Sequence, residues 1–219
     1  RLTEAFLHNP VRIEVARAST TASTIRQALI ASHGGADKRE TLRRLIREAE
    51  NLKNAIIFCN RKRDVAIVHR SLQKHGFSAG ALHGDMDQLA RMASLEAFKT
   101  GDVSLLVCSD VAARGLDIPD VGHVFNFDVP THSEDYVHRI GRTGRAGRSG
   151  VALTIVTQDD GKYVDQIQSL IGEPISWEGP SFQELPDPLV WHEAHENRSE
   201  RGLRTRDDGN RSGRRMRPS

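Results

Sequence analysis

Residues 55–59 read Ala55-Ile56-Ile57-Phe58-Cys59, and residues 104–108 read Ser104-Leu105-Leu106-Val107-Cys108. Neither run alternates apolar with polar residues, as a strand with one wet face does. Short unbroken apolar runs belong to strands covered on both sides, which is how a parallel sheet with helices above and below is built. Working outward, Leu42, Leu45, Ile46 and Ala49 fall at helical spacing within residues 37–49. Val65, Ile67, Val68 and Leu72 do the same within 64–74, before Gly76. Strands are predicted at 78–82, 124–127 and 151–156. Helices are predicted at 87–99, ended by Gly101, at 133–140, and at 159–171, closed by Gly172. The alternation predicts an α/β fold with a parallel sheet and helices on both faces. Such sheets bind ligands beyond the carboxyl ends of their strands, which selects the loops after Cys59, Leu82 and Cys108.

The chain has 219 residues, 37% of them hydrophobic, enough for one sizeable core. No apolar run approaches the ~18 residues of a membrane span and no leader pattern opens the sequence, so a cytoplasmic protein is expected. Two cysteines, Cys59 and Cys108, give no disulfide framework and read as small buried hydrophobes. No close cysteine–histidine cluster suggests a metal. The formal net charge of +2 is unevenly spread. Residues 197–219 hold eight arginines against Glu200, Asp207 and Asp208, and only Leu203 and Met216 are apolar, so this basic tail is expected to be disordered. Residues 1–24 contain one candidate strand, at 11–16. Residues 176–196 carry Trp177, Phe182 and Trp191 among prolines and read as an extended arm, either packed on residues 25–175 or docking a partner.

The densest chemical signal is His138-Arg139-Ile140-Gly141-Arg142-Thr143-Gly144-Arg145-Ala146-Gly147-Arg148. Four arginines at three-residue intervals repel one another, and a phosphate chain is the economical counter-charge. Interleaved glycines permit tight turns and close approach of a ligand. A second signal, Ser109-Asp110-Val111-Ala112-Ala113-Arg114-Gly115-Leu116-Asp117, follows a buried strand with a hydroxyl, an arginine and acids suited to phosphate and sugar hydroxyls. Asp117 is the candidate ribose acceptor, and Ser109 or Asp110 is a candidate helix cap. The third, His83-Gly84-Asp85-Met86-Asp87-Gln88-Leu89-Ala90-Arg91, offers Gly84 for backbone approach, Asp87 as a cap, and Gln88 and Arg91 on one helix face.

Taken in order with Ile57, Phe58 and Lys62, these motifs resemble the second RecA-like domain of DEAD-box RNA helicases, bacterial members above all, over residues 11–172. The resemblance implies an RNA-stimulated ATPase. It gives Arg142 and Arg145 the γ-phosphate of ATP, with Arg145 as the arginine finger, and Asp117 the ribose. It places Gly84, Gln88, Arg91, Ser109 and Arg114 along the RNA backbone, where contacts position without reading bases. It assigns His138 and Arg139 to contacts with a first RecA-like domain, which would also hold Mg2+. Ser109 stands where the family usually has threonine and keeps the hydroxyl. Arg61 stands where a threonine often meets RNA. The chain contains neither the phosphate loop G-x-x-x-x-G-K-[ST] nor an Asp-Glu-Ala-Asp sequence. Half of the ATP site is therefore expected elsewhere, and the chain reads as an inactive C-terminal fragment of an active parent. The competing reading is a non-catalytic RNA- or protein-binding module docking in an RNA-degradation assembly beside a ribonuclease.

Overall fold

In the computed structural model, residues 24–180, 182, 184 and 185 are described. Backbone contacts divide the chain after Gly179. The first unit carries all the regular structure given below. Of the second, only residues 180, 182, 184 and 185 fall within the described set. The expected strand at 11–16, Trp191 and the expected disordered tail at 197–219 lie outside the described residues.

Seven strands form one sheet: β1 (Ile25–Ala31), β2 (Ala55–Cys59), β3 (Ala79–Leu82), β4 (Leu105–Ser109), β5 (His123–Asn126), β6 (Gly150–Val156) and β7 (Ser176–Trp177). Their spatial order is β3-β4-β2-β5-β6-β1-β7, and every pairing is parallel. Between them run α1 (Gly35–Glu48), α2 (Lys62–Lys74), α3 (Gln88–Thr100), α4 (Asp110–Ala113), α5 (Ser133–Ile140) and α6 (Gly161–Ile171). All five residues of β2, all five of β4 and all four of β5 are buried, which is why their sequences do not alternate.

Ile57, Val107, Phe125 and Ile155 join Leu42, Leu45 and Ile46 of α1 and Val65, Val68 and Leu72 of α2 in one core. The intervening Ile56, Leu106 and Val124 are fully buried as well and, by strand alternation, face the other side. On that side α3 packs on β3, and α5 packs on β5 and α6. Cys59 belongs to the first core. Cys108 pairs in register with Phe58, so the two thiols point to opposite faces. Both are free and buried, and burial raises both thiols well above the usual range.

The helix limits follow local chemistry. Asp87 caps α3, accepting from the backbone N–H of Ala90 at 2.7 Å, and Gly101 closes that helix in the left-handed region. The β3 edge is partly occupied by side chains. On β3 a ring nitrogen of His69 lies 2.9 Å from the Ala79 carbonyl, and Ser94 Oγ donates to the Ala81 carbonyl at 2.9 Å. Those carbonyls are thereby removed from edge-to-edge pairing. The opposite edge, β7, is two residues long and pairs with Ala28 and Leu29 of β1. Among the described residues no helix is long and apolar enough to cross a membrane.

Three elements differ from expectation, one of them β7, a short strand at the start of the expected arm. Strand β1 is not signalled in the sequence because Arg26 and Gln27 interrupt it. Arg26 is exposed and Gln27 half-buried, whereas Ile25 and residues 28–31 are buried. The stretch after β4 is a single helical turn, α4, rather than a plain loop, and β4 itself runs one residue further to Ser109.

Candidate functional site

Helix α5 sets the geometry. It starts beyond the carboxyl end of β5 and runs back along the sheet, so the residues after Ile140 lie near the amino ends of the strands. Backbone bonds fix this: Val121 N–H donates to the Arg142 carbonyl at 3.0 Å, and Gly150 N–H donates to Thr24 at 3.0 Å. Thr143 Oγ1 donates to the Val121 carbonyl at 2.5 Å. The backbone of the arginine loop therefore lies toward the amino ends of the strands, while the Arg142 side chain reaches into a cleft that the stretch after β4 also lines. The carboxyl-end rule selects Gly84, Gln88, Arg91, Ser109 and Arg114 but not the arginines, because it speaks only of loops that leave strands.

The four arginines do not share one fate. Arg139 is 1% exposed. Its Nε and Nη2 grip the two carboxylate oxygens of Asp110 at 2.8 and 2.7 Å. Nη1 donates to the Asp128 carbonyl at 2.7 Å and to Asn126 Oδ1 at 3.5 Å, and Nη2 also donates to Asn60 Oδ1 at 2.8 Å. The guanidinium lies over the Phe58 ring, 5.3 Å from its centre. All five of its N–H groups are engaged. The expectation that Arg139 reaches another domain is therefore corrected: it is a buried pin joining the ends of β2, β4 and β5 to α5. Arg148 is exposed and pairs with Asp120 at 2.8 Å.

Arg142 and Arg145 remain. Arg142 is half-buried, and Arg145 is exposed, held by one bond from Nε to the Gly141 carbonyl at 2.7 Å. Neither meets a carboxylate among the described residues. The Arg142 guanidinium sits below its ordinary pKa, first through burial and then through the like charge of Arg145. Two adjacent cations without counter-charge make a site that an anion would relieve.

A cleft of about 280 Å³ runs along α5, with Phe58 and Asp110 at one end and Arg142 lining it with His138, Arg114 and Arg139. His138 is exposed on α5. Arg114 is exposed and paired with Asp135 at 2.5 Å. Ser109 is buried at the end of β4 and makes no capping bond. Arg91 Nη2 donates to the Ala112 carbonyl at 3.2 Å, tying the start of α3 to α4. Gln88 and Gly84 are exposed, and the space beside Gly84 is open. Asp117 does not line the cleft. It is 94% exposed, 3.0 Å from Lys99 Nζ. It lies on the stretch that descends from α4 toward the amino end of β5, the same end as the arginine loop. Exposed Lys62 pairs with Asp85 at 2.8 Å, and this bond holds the Asp85 carboxyl below the usual range.

Two glycines shape the loop for packing rather than for ligand approach. Gly144 has φ +70°, and a Cβ there would lie 2.6 Å from Ile25 Cγ1. At Gly150 a Cβ would lie 2.3 Å from Thr143 Oγ1 and 2.7 Å from the Gly144 nitrogen. Gly150→Ala is expected to lower stability by about 1–3 kcal/mol, the cost of overpacking a close site. Urea unfolding of the chain checks this, and an unchanged midpoint would contradict the tight packing of the loop. Sequence reading missed Asn60, Asn126, Asp128 and Asp135. Their only signal is a polar residue placed at a strand end or in a helix's first turn.

The model of the Helicase conserved C-terminal domain matches residues 37–147, which span the whole cleft. The crystal structure of Escherichia coli DEAD-box protein SrmB bound to regulator of ribonuclease activity A is 36% identical, with a TM-score of 0.67 over 71% of this chain and 91% of that one. This chain is the C-terminal RecA-like domain of a DEAD-box helicase. Among curated relatives, the DEAD-box ATP-dependent RNA helicase RhpA of Helicobacter pylori is 41% identical over 89% of the chain. The DEAD-box ATP-dependent RNA helicase CshA of Bacillus licheniformis is 45% identical over 72%. The chain spans 39% and 32% of those two proteins. Saccharomyces cerevisiae Dbp5 bound to RNA and ADP BeF3 superposes with a TM-score of 0.71 at 28% identity, over 91% of this chain and 51% of that one. Against these relatives, the seven-stranded parallel sheet flanked by helices agrees with the RecA-like fold that the resemblance implied.

Proposed function

We propose that this DEAD-box domain supplies one wall of a composite ATP site and half of an RNA track in an ATP-dependent RNA helicase. A second RecA-like domain supplies the phosphate loop and holds Mg2+. The carrying observation is the pair Arg142 and Arg145, adjacent on the loop after α5 and meeting no carboxylate among the described residues. Presented across an interdomain cleft, they meet the γ-phosphate, and Arg145 stabilises the charge that develops as the phosphoryl group transfers. Asp117, exposed at the same end, accepts from the ribose hydroxyls after leaving Lys99. His138 faces the partner domain.

Gly84, Gln88, Arg91, Ser109 and Arg114 gather at the carboxyl end and take successive sugar–phosphate units, a mode that is tolerant of sequence. Closure of two domains around ATP would then bend the bound strand and open short duplexes, and hydrolysis would release it. Support comes from the names of the relatives, ATP-dependent RNA helicases, and from the RNA-bound state of the Dbp5 relative.

In the full-length helicase, single-stranded RNA is expected to stimulate ATP turnover, and DNA of the same sequence far less. The 219-residue chain alone is expected to show negligible turnover, because its sequence contains no G-x-x-x-x-G-K-[ST] phosphate loop. Equal stimulation by DNA would move the protein to another helicase branch. RNA-stimulated turnover by the isolated chain would end the composite-site proposal.

A further inference from the structure

Arg114, Arg139 and Arg142 all line the cleft along α5, and each has a different counter-charge. Arg139 holds both oxygens of Asp110, so neither member of that pair is left for a ligand. Arg142 meets no carboxylate among the described residues. Arg114 stands between these cases. Its Nη2 donates to Asp135 Oδ1 at 2.5 Å, and neither side chain makes another hydrogen bond among the described residues.

The two ends of this pair are unlike. Asp135 comes from the first turn of α5 and its side chain is 15% exposed, whereas Arg114 follows α4 and its side chain is 62% exposed. The carboxylate is the anchored partner. The guanidinium is the movable one, with four of its five N–H groups to spare. A carboxylate on an arginine fork offers the negative charge and acceptor oxygens that a phosphate would offer there. With Asp110 committed to Arg139, Asp135 is the one carboxylate lining this cleft, among the described residues, that an incoming anion has to replace.

We infer that Asp135 is a built-in competitor for Arg114: it occupies the guanidinium until an RNA phosphate displaces it, and so sets the affinity of the RNA track. This rests on the assignment of Arg114 to that track. A purely structural Asp135, kept to complement the positive end of α5, predicts the opposite sign, because its loss would loosen the domain and would not tighten RNA.

The test is the anisotropy of a fluorescent oligouridine titrated with the full-length helicase at one fixed salt concentration. Asp135→Asn should tighten binding about fivefold, the upper end for an ion pair with one exposed member. Glu134→Gln removes the same charge from the neighbouring, exposed residue, which no hydrogen bond or ion pair joins to Arg114. Its effect should stay under twofold, since screening weakens exposed charges at a distance. In an Arg114→Ala background the gain from Asp135→Asn should vanish, because the competition has lost its object. Unchanged or weaker binding by Asp135→Asn, an equal gain from Glu134→Gln, or a gain that persists without Arg114 would each overturn the competitor. Should Asp135→Asn fail to fold, Asp135→Ser takes its place in the same cycle. Arg114→Ala alone separates the two levels: unaltered RNA affinity there removes Arg114 from the track, whereas weakened affinity without a gain from Asp135→Asn leaves the track and removes only the competitor.

Discussion

Replacing Arg145 with alanine in the full-length helicase is expected to cut RNA-stimulated ATP turnover by about a thousandfold or more, the scale of an arginine finger. That loss corresponds to roughly 4 kcal/mol of transition-state stabilisation. The side chain is exposed and held at one nitrogen only, by the Gly141 carbonyl. Among the described residues its remaining N–H groups have no partner and its removal strands no buried group, so folding should hardly change. RNA affinity should hold within about threefold, because Arg145 is not among the RNA candidates and one phosphate contact carries little of the total. Arg148→Ala is the control: that guanidinium is already engaged by Asp120, and most of the turnover should survive. Steady-state ATPase and filter-binding assays decide the matter. Near-normal turnover in Arg145→Ala would remove this residue from the phosphate site.

The second large effect concerns folding. Arg139→Ala should destabilise the domain by about 3–5 kcal/mol, because it strips the partner from Asp110, empties a fully buried volume and leaves the acceptors of Asn60 and Asp128 short of a donor. At this chain length such a loss lowers the melting midpoint by roughly 10 °C. Asp110→Ala should cost a similar amount for the converse reason, a buried guanidinium without counter-charge. Arg139→Met combined with Asp110→Leu removes both charges and should cost well under the sum of the single losses. Thermal and urea unfolding of the 219-residue chain provide the measurement. Strict additivity of the two sites would show that the pair seen at 2.7–2.8 Å contributes no coupling.

These two arginines mark how far the sequence is legible. Strand limits at 55–59 and helix limits at 133–140 match the structure residue for residue, because burial on both faces and helical spacing are local signals. Strand β1 escaped because Arg26 and Gln27 sit where it is still partly exposed. The arginine set looked uniform because its spacing is uniform, but the helix ends at Ile140. Arg139 still follows helical phase and turns inward onto Phe58, whereas Arg142, Arg145 and Arg148 lie on irregular chain. The groups that claim Arg139 are 11 to 79 residues away in sequence, beyond the reach of any short motif. Nor does a motif tell which end of the sheet it occupies. That depends on α5 reversing the direction of the chain, which carries the backbone of the arginine loop toward the amino ends of the strands.

The pin at Arg139 has a mechanical consequence. A side chain clamped by groups from the ends of three strands resists any sliding of α5 over the sheet. If the proposed sites are right, the lobe is then expected to act as a stiff jaw, in which a tug at one site moves the whole body rather than rearranging its interior.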